Sequence, residues 1–340
     1  MKKSWTKWRA RIRNRVKAEN SLVAHLQWKR WKKNQRRAAE GLNPVKSTAQ
    51  HHPEITFTAP ASFSLLDNPE GSIQFLRKLQ DFDRRRDVFV DLNLVHHITA
   101  DAIAVLLSIV LKLNARSYMN IRGNYPGGQA AMNTIRESGF DQYLKSSLPH
   151  MGRARGAIVK RDFLLEAKKA NGVLAGQLID FAAKDDGNRL RLKTSYGHLL
   201  ECMGNTHQHA AAQPGSQTWW ASVFQDTERK CDCFTFVDMG VGIFNSIELN
   251  RRLKLLNLLQ NTHPGILADL LQGKIQSSTK LSYRGRGLPS IYKSCRNGHI
   301  RRLTIITNDV HADAEADRYT PLPQELKGVV LYWEVPYERS

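Results

Sequence analysis

From residue 54 onward the chain switches repeatedly between the two-residue period of strands and the longer period of helices. Residues 55–58 alternate as a strand, 73–82 carry helical spacing, and 88–94 (VFVDLNL) read as a second strand. A strongly apolar helix follows over 99–113, then a strand over 118–122 and a helix over 129–138, before Gly139 and Phe140. Such alternation predicts an α/β unit whose sheet is covered on its faces.

The second half is patterned differently. Residues 145–172 are polar and contain glycine, and they read as a connection. Helices are predicted over 173–183 and 196–210, then two strands over 219–224 and 233–237, joined through Thr227-Glu228-Arg229-Lys230. Helical spacing returns over 249–259, 266–275 and 289–295, and strands over 303–307 and 329–335 finish the chain. The organisation expected is an arm (1–40), a linker (41–53), an α/β domain (54–150), a connector (151–172) and a second α/β domain (173–340). No internal repeat or low-complexity tract interrupts it.

The arm has its own pattern. Trp5, Trp8, Ile12 and Val16 fall on one helical stripe among Arg9, Arg11, Arg13, Arg15 and Lys17. Leu22, Val23, Leu26 and Trp31 extend a second basic helical segment towards Glu40. Charge follows this division. The net charge is +20, and residues 1–40 hold 14 Lys/Arg against only Glu19 and Glu40. Three readings fit the arm: binding to a nucleic acid, whose phosphates the basic side chains neutralise while tryptophan stacks on its bases; binding to an anionic membrane surface; or a solvated or partner-docked tail whose tryptophans pack on the body of the protein. The sequence leaves all three open.

Composition narrows the class. With 340 residues, 41% hydrophobic and 24% charged, the chain can bury a sizeable core. Its longest apolar run, 102–111, is too short to cross a bilayer, and no signal-peptide stretch opens the sequence. Four cysteines make no disulfide framework, so a reducing, cytoplasmic setting is expected. Cys231 and Cys233 have the wrong spacing for a zinc knuckle, and their alternation fits a strand.

Three short segments carry candidate chemistry. In Glu201–His209 (ECMGNTHQH), Glu201 and Asn205 share a helix face while Leu199, Met203 and Ala210 occupy an apolar one. An Asn carbonyl is a hard oxygen ligand for Mg²⁺, and a neighbouring Glu can orient or deprotonate an attacking water. Asp238 ends a strand where Gly240 and Gly242 allow a sharp turn, so its carboxylate can accept from an amino group. Gly285-Arg286-Gly287-Leu288 opens a helix behind Lys280 and Arg284, a setting suited to phosphate. Each segment also has an ordinary reading, as a solvated helix face, a plain turn and a flexible loop. No Gly-Lys-Ser/Thr follows the glycines, and no Rossmann strand–GxGxxG–helix unit is present.

In order and in their supports, the three segments resemble the GHKL superfamily of gyrase, chaperone, histidine-kinase and mismatch-repair ATPases. The members they look nearest to are the anti-sigma-factor serine kinases. The resemblance spans about residues 173–336. It implies ATP and Mg²⁺ as ligands, and either ATP hydrolysis or protein serine/threonine kinase activity. It implies Glu201 as catalytic base, Asn205 as Mg²⁺ ligand and Asp238 as the adenine-reading acid. Gly240 and Gly242 become the first glycine box. Lys280, Arg284, Gly285, Arg286, Gly287 and Leu288 become the lid over the phosphates. The sequence departs from that family in two places. The segment between Ile243 and Gly285 is long, and Gly328-Val329 stands where many members have Gly-Thr, removing a hydroxyl from the adenine pocket.

The segment VFVDLNLVHHITADAIAVLLSIVLKL, with IRGNYP and SGFDQYL after it, resembles a STAS domain, the fold of bacterial anti-anti-sigma factors. In switching members a serine opening the long helix is phosphorylated. Asp101 falls at that position, as fixed negative charge or as an ordinary first-turn acid, with Thr99 as an alternative acceptor. His96 and His97 read as exposed or structural. Together the resemblances imply an ATP-dependent regulatory switch with a protein partner, and they leave a homo-oligomer open. The alternative is a nucleic-acid-binding effector in which ATP acts only as a conformational ligand.

Overall fold

The structure is a computed structural model that describes residues 54–82, 86–114, 121–140, 156–161, 170–209, 219–248, 262–274 and 287–337. The chain divides into two units, Met1–His52 and Pro53–Ser340, and every described residue belongs to the second. The expected arm and linker lie outside the described residues, as does the helix expected over 249–259.

The fold is mixed α/β. Three parallel strands, β1 (Ile55–Thr58), β3 (Val88–Asp91) and β5 (Ile121–Gly123), form a small sheet in the order β1-β3-β5. The two-residue strands β2 (Ser62–Phe63) and β4 (His97–Ile98) pair beside it. Helix α1 (Pro69–Gln80) starts four residues before its apolar spacing does. Asn68 accepts from Gly71 N–H, Pro69 suits the first turn, and Ile73, Phe75, Leu76 and Leu79 supply the buried face. Helix α2 (Ala100–Asn114) is buried around its whole circumference from Asp101 to Val110. A helix apolar on every side needs cover on every side.

Part of that cover is α1 and the small sheet, and the rest comes from the second half of the chain. Five strands, β6 (Gly156–Arg161), β7 (Trp219–Asp226), β8 (Cys231–Asp238), β9 (Arg301–Asp313) and β10 (Arg318–Pro336), form a sheet ordered β6-β7-β8-β10-β9. Every neighbouring pair in it is antiparallel. One face carries Trp220, Val237, Ile306 and Val330 into the same core as α1 and α2. The opposite face carries Trp219, Ala221, Phe234, Phe236 and Trp333 into a second core. That core is closed by α4 (Gly172–Ala182), α5 (Lys193–His209), α7 (His263–Leu271) and α8 (Gly287–Arg296). The short α6 (Ile243–Glu248) follows β8, as α3 (Gln129–Glu137) follows β5. Thus α2 lies between the small and the large sheet, which accounts for the longest apolar run in the sequence. Among the described residues, no helix is long and apolar enough to cross a membrane.

Two expectations need correction. The connector contains β6, an edge strand paired along β7, whose few apolar residues gave too weak a periodic signal. Strands β9 and β10 are also far longer than expected, because residues 308–328 form an extended hairpin around the turn at 314–317. Charged residues and Pro321 and Pro323 obscure that pattern. They are tolerated because β10 is paired to β8 only from Val329 onward, which leaves one side of its outer part free.

Candidate functional site

Helix α5 gathers the site. Its inner side buries Leu199, Cys202, Met203 and Thr206, while Glu201 is exposed and Asn205 half-buried. Ser195 Oγ accepts from Trp333 Nε1 at 2.9 Å, and His198 Nε2 lies 3.0 Å from Ser294 Oγ on α8, so the helix is fixed from both sides. Gly287, the first residue of α8, packs directly against the polar pair. A Cβ there would stand 3.0 Å from both Glu201 Oε2 and Asn205 Nδ2. The amides opening α8, which have no partner within the helix, therefore begin beside Glu201 and Asn205, an arrangement suited to anionic oxygens.

The same helix reaches Asp238. That residue ends β8, paired with Trp219 and Val329, and its Oδ1 accepts from Gly240 N–H at 2.7 Å. Burial raises its pKa, opposed by the Thr206 hydroxyl, the Gly240 amide and the positive charge of Lys112. The glycine loop after it is anchored on β9. Gly242 is left-handed (φ 85°), and a Cβ there would stand 2.2 Å from Asn308 Oδ1. Asn308 Oδ1 accepts from Phe244 N–H, its Nδ2 donates to Val241 O, and Thr307 Oγ1 accepts from Ile243 N–H at 2.9 Å.

Behind the loop, Met239 points into the α1/α2 core and its Sδ lies 3.2 Å from Ser108 Oγ of α2. A cleft of about 360 Å³ separates this end of α2, with Lys112, from Gly240, Val241, Asn245 and Lys327. The first α/β half thus touches the loop that carries Asp238.

Glu201, Asn205 and Gly287 come together, and Asp238 joins them through α5, with Gly240 and Gly242 in its loop. Leu288 packs partly buried on the helix-side core. Lys280, Arg284, Gly285 and Arg286 lie outside the described residues. Thr206, Lys112, Thr307 and Asn308 were not anticipated. Only Thr206 carried a signal, one residue after Asn205 on a helix already singled out. Asp101 and Thr99 lie elsewhere. Asp101 is fully buried, its Oδ2 accepts from Leu65 N–H at 2.9 Å, and burial pushes its pKa up. It ties the 64–67 turn to the first turn of α2. Thr99 precedes it, with its carbonyl accepting from Ile103 N–H at 3.1 Å. His96 and His97 are exposed.

His198 gives the α5–α8 junction a pH dependence. Burial, with a smaller contribution from His299, lowers its pKa from 6.5 to about 4. Between those values the unfolded chain takes up a proton that the folded chain refuses. Stability from this group is therefore complete above about pH 6.5 and falls by up to about 3 kcal/mol as pH drops towards 4. Urea midpoints at pH 7 and pH 4.5 should diverge in the native chain and converge substantially in His198→Gln.

The sequence matches no protein-family model and no curated protein.

Proposed function

We propose that the protein is an ATP-dependent regulatory switch, binding Mg²⁺-ATP and either hydrolysing it slowly or passing its terminal phosphoryl group to a protein partner. The observation that carries this reading is the placement of Glu201 and Asn205 against the start of α8, on the helix that also reaches Asp238. This grouping agrees with the GHKL resemblance of the sequence. Asp238 accepts the adenine amino group, and the open turn at Gly240 and Gly242 lets the base approach backbone. The α8 amides receive phosphate oxygens. Asn205 Oδ1 is the hard donor that would hold Mg²⁺ together with those phosphates, and one protein oxygen suffices because Mg²⁺ retains water. Glu201, on the solvent side, orients or deprotonates the attacking hydroxyl or water. Occupancy reaches the first α/β half through Met239 and α2, which is what a switch requires.

Asp238 tests the reading. A carboxylate has two acceptor oxygens, so one can serve Gly240 N–H while the other serves adenine. Asparagine has one acceptor oxygen and must abandon one of them. A lost hydrogen bond of this kind costs about 1–3 kcal/mol, so Asp238→Asn should bind ATP about 10–100-fold more weakly by calorimetry. Native affinity in that variant would remove the adenine-reading role.

A further inference from the structure

At the far end of the large sheet, on the face turned towards α1 and α2, three donor side chains meet. Cys231 and Cys233 lie two residues apart on β8, so both point to one face, and Glu334 of β10 is paired in register with Cys233. All three are buried, at 3%, 2% and 6% exposure. Their donor atoms lie within 4.8 Å of one another, with Sγ to Sγ at 3.9 Å and Cys231 Sγ to Glu334 Oε2 at 3.7 Å. Zinc–sulfur bonds of about 2.3 Å and zinc–oxygen bonds of about 2.0 Å at tetrahedral angles require edges of roughly 3.5–3.8 Å. The two edges that meet at Cys231 already have nearly those lengths, and two adjacent strands hold the three side chains.

The surroundings divide the two oxygens of Glu334. Oε1 is saturated: it accepts from Tyr332 Oη at 2.6 Å, from Arg302 Nη1 at 3.2 Å and from Arg229 Nη1. Oε2 faces the cysteines. Partners that hold one oxygen orient the other, which is how outer groups position a metal ligand. Arg229 Nη2 lies 3.4 Å from Cys233 Sγ and from Tyr332 Oη, which puts a positive charge beside the site. Charge also balances. The carboxylates of Glu334 and Asp226 already offset Arg229 and Arg302, and a dication that displaces two thiol protons leaves the total unchanged.

We propose that Cys231, Cys233 and Glu334 form a binding site for Zn²⁺. The two thiols release their protons to solvent as two zinc–sulfur bonds form, and Glu334 Oε2 supplies the third bond. Leu66 and Phe224 cover the site. Leu66 also lines a cleft of about 650 Å³, together with Arg302, Thr304 and His311. The sequence concealed this because Glu334 stands about a hundred residues from the cysteines and joins them only through strand pairing.

Cobalt(II) titrated into the full-length chain under reducing conditions reads the site directly. One equivalent should produce thiolate-to-cobalt charge-transfer absorption, which Zn²⁺ then abolishes. Cys231→Ser/Cys233→Ser should lose the bands, and Glu334→Gln should keep them with about 10–100-fold weaker affinity. Alkylation of the native chain followed by peptide mass spectrometry supplies a readout that needs no variant. Zn²⁺ should protect Cys231 and Cys233 and leave the rates at Cys202 and Cys295 unchanged. Absence of cobalt bands in the native chain, their persistence in the double variant, or unchanged alkylation of Cys231 and Cys233 would each overturn the proposal.

Discussion

Replacing Glu201 with alanine should lower ATP turnover by about 10²–10⁴-fold, the range typical of a lost general base, while ATP affinity stays within a few-fold of native. The difference follows from where the side chain sits. Glu201 is exposed on α5, and neither Gly197 nor Gly204, one turn to either side, would bring a Cβ within 4 Å of another group. The carboxylate lies at the surface against Gly287, so truncation leaves Asn205, Asp238 and the α8 amides in place. Single-turnover measurement with radiolabelled ATP would separate the two effects, with stability followed by urea denaturation. Equal loss of binding and turnover would make Glu201 a phosphate-site residue instead of a base. Unchanged turnover would remove it from the chemistry.

How much of this was legible beforehand depended on the range of each interaction. Helix α5 and the turn at Asp238 could be read because Glu201–Asn205 spacing and Asp-x-Gly-x-Gly are local signals. That Thr206 also reaches Asp238 required the α5–β8 packing angle, which no periodicity encodes. The GHKL resemblance made Val329 a departure, since a hydroxyl is usual there. Val329 pairs with Asp238 on one side and with Thr307 on the other, and hydroxyls approach from Thr206 and Thr307 instead. The grip of Asn308 on the glycine loop was equally hidden, because it comes from a strand some sixty residues away. The circumferential burial of α2 was visible as an apolar run, but what covered it was not, since half the cover is a sheet formed much later in the chain.

Gly328→Ala should be the most damaging single-methyl change near the site. Gly328 has φ 128°, outside the region side-chain-bearing residues normally adopt, and a Cβ there would stand 2.0 Å from the carbonyl oxygen of Asp238. Relief cannot come from a side-chain rotation, because the obstacle is backbone in the neighbouring strand β8. Either the β8–β10 pairing opens at Val329–Asp238 or the glycine loop moves. The cost combines backbone strain of about 1–3 kcal/mol with overpacking of similar size, so about 2–6 kcal/mol of stability should be lost. Gly298→Ala is the matched control. It is also left-handed (φ 72°), but a Cβ there meets nothing within 4 Å, so only the backbone penalty of about 1 kcal/mol applies. Urea midpoints of the two variants decide the matter, and equal destabilisation would mean that close approach at Asp238 contributes nothing. Because the displaced oxygen belongs to Asp238 itself, whatever Gly328→Ala protein folds should also bind ATP more weakly than the Gly298→Ala control. That couples the strand register at the end of β8 to the chemistry assigned to its last residue.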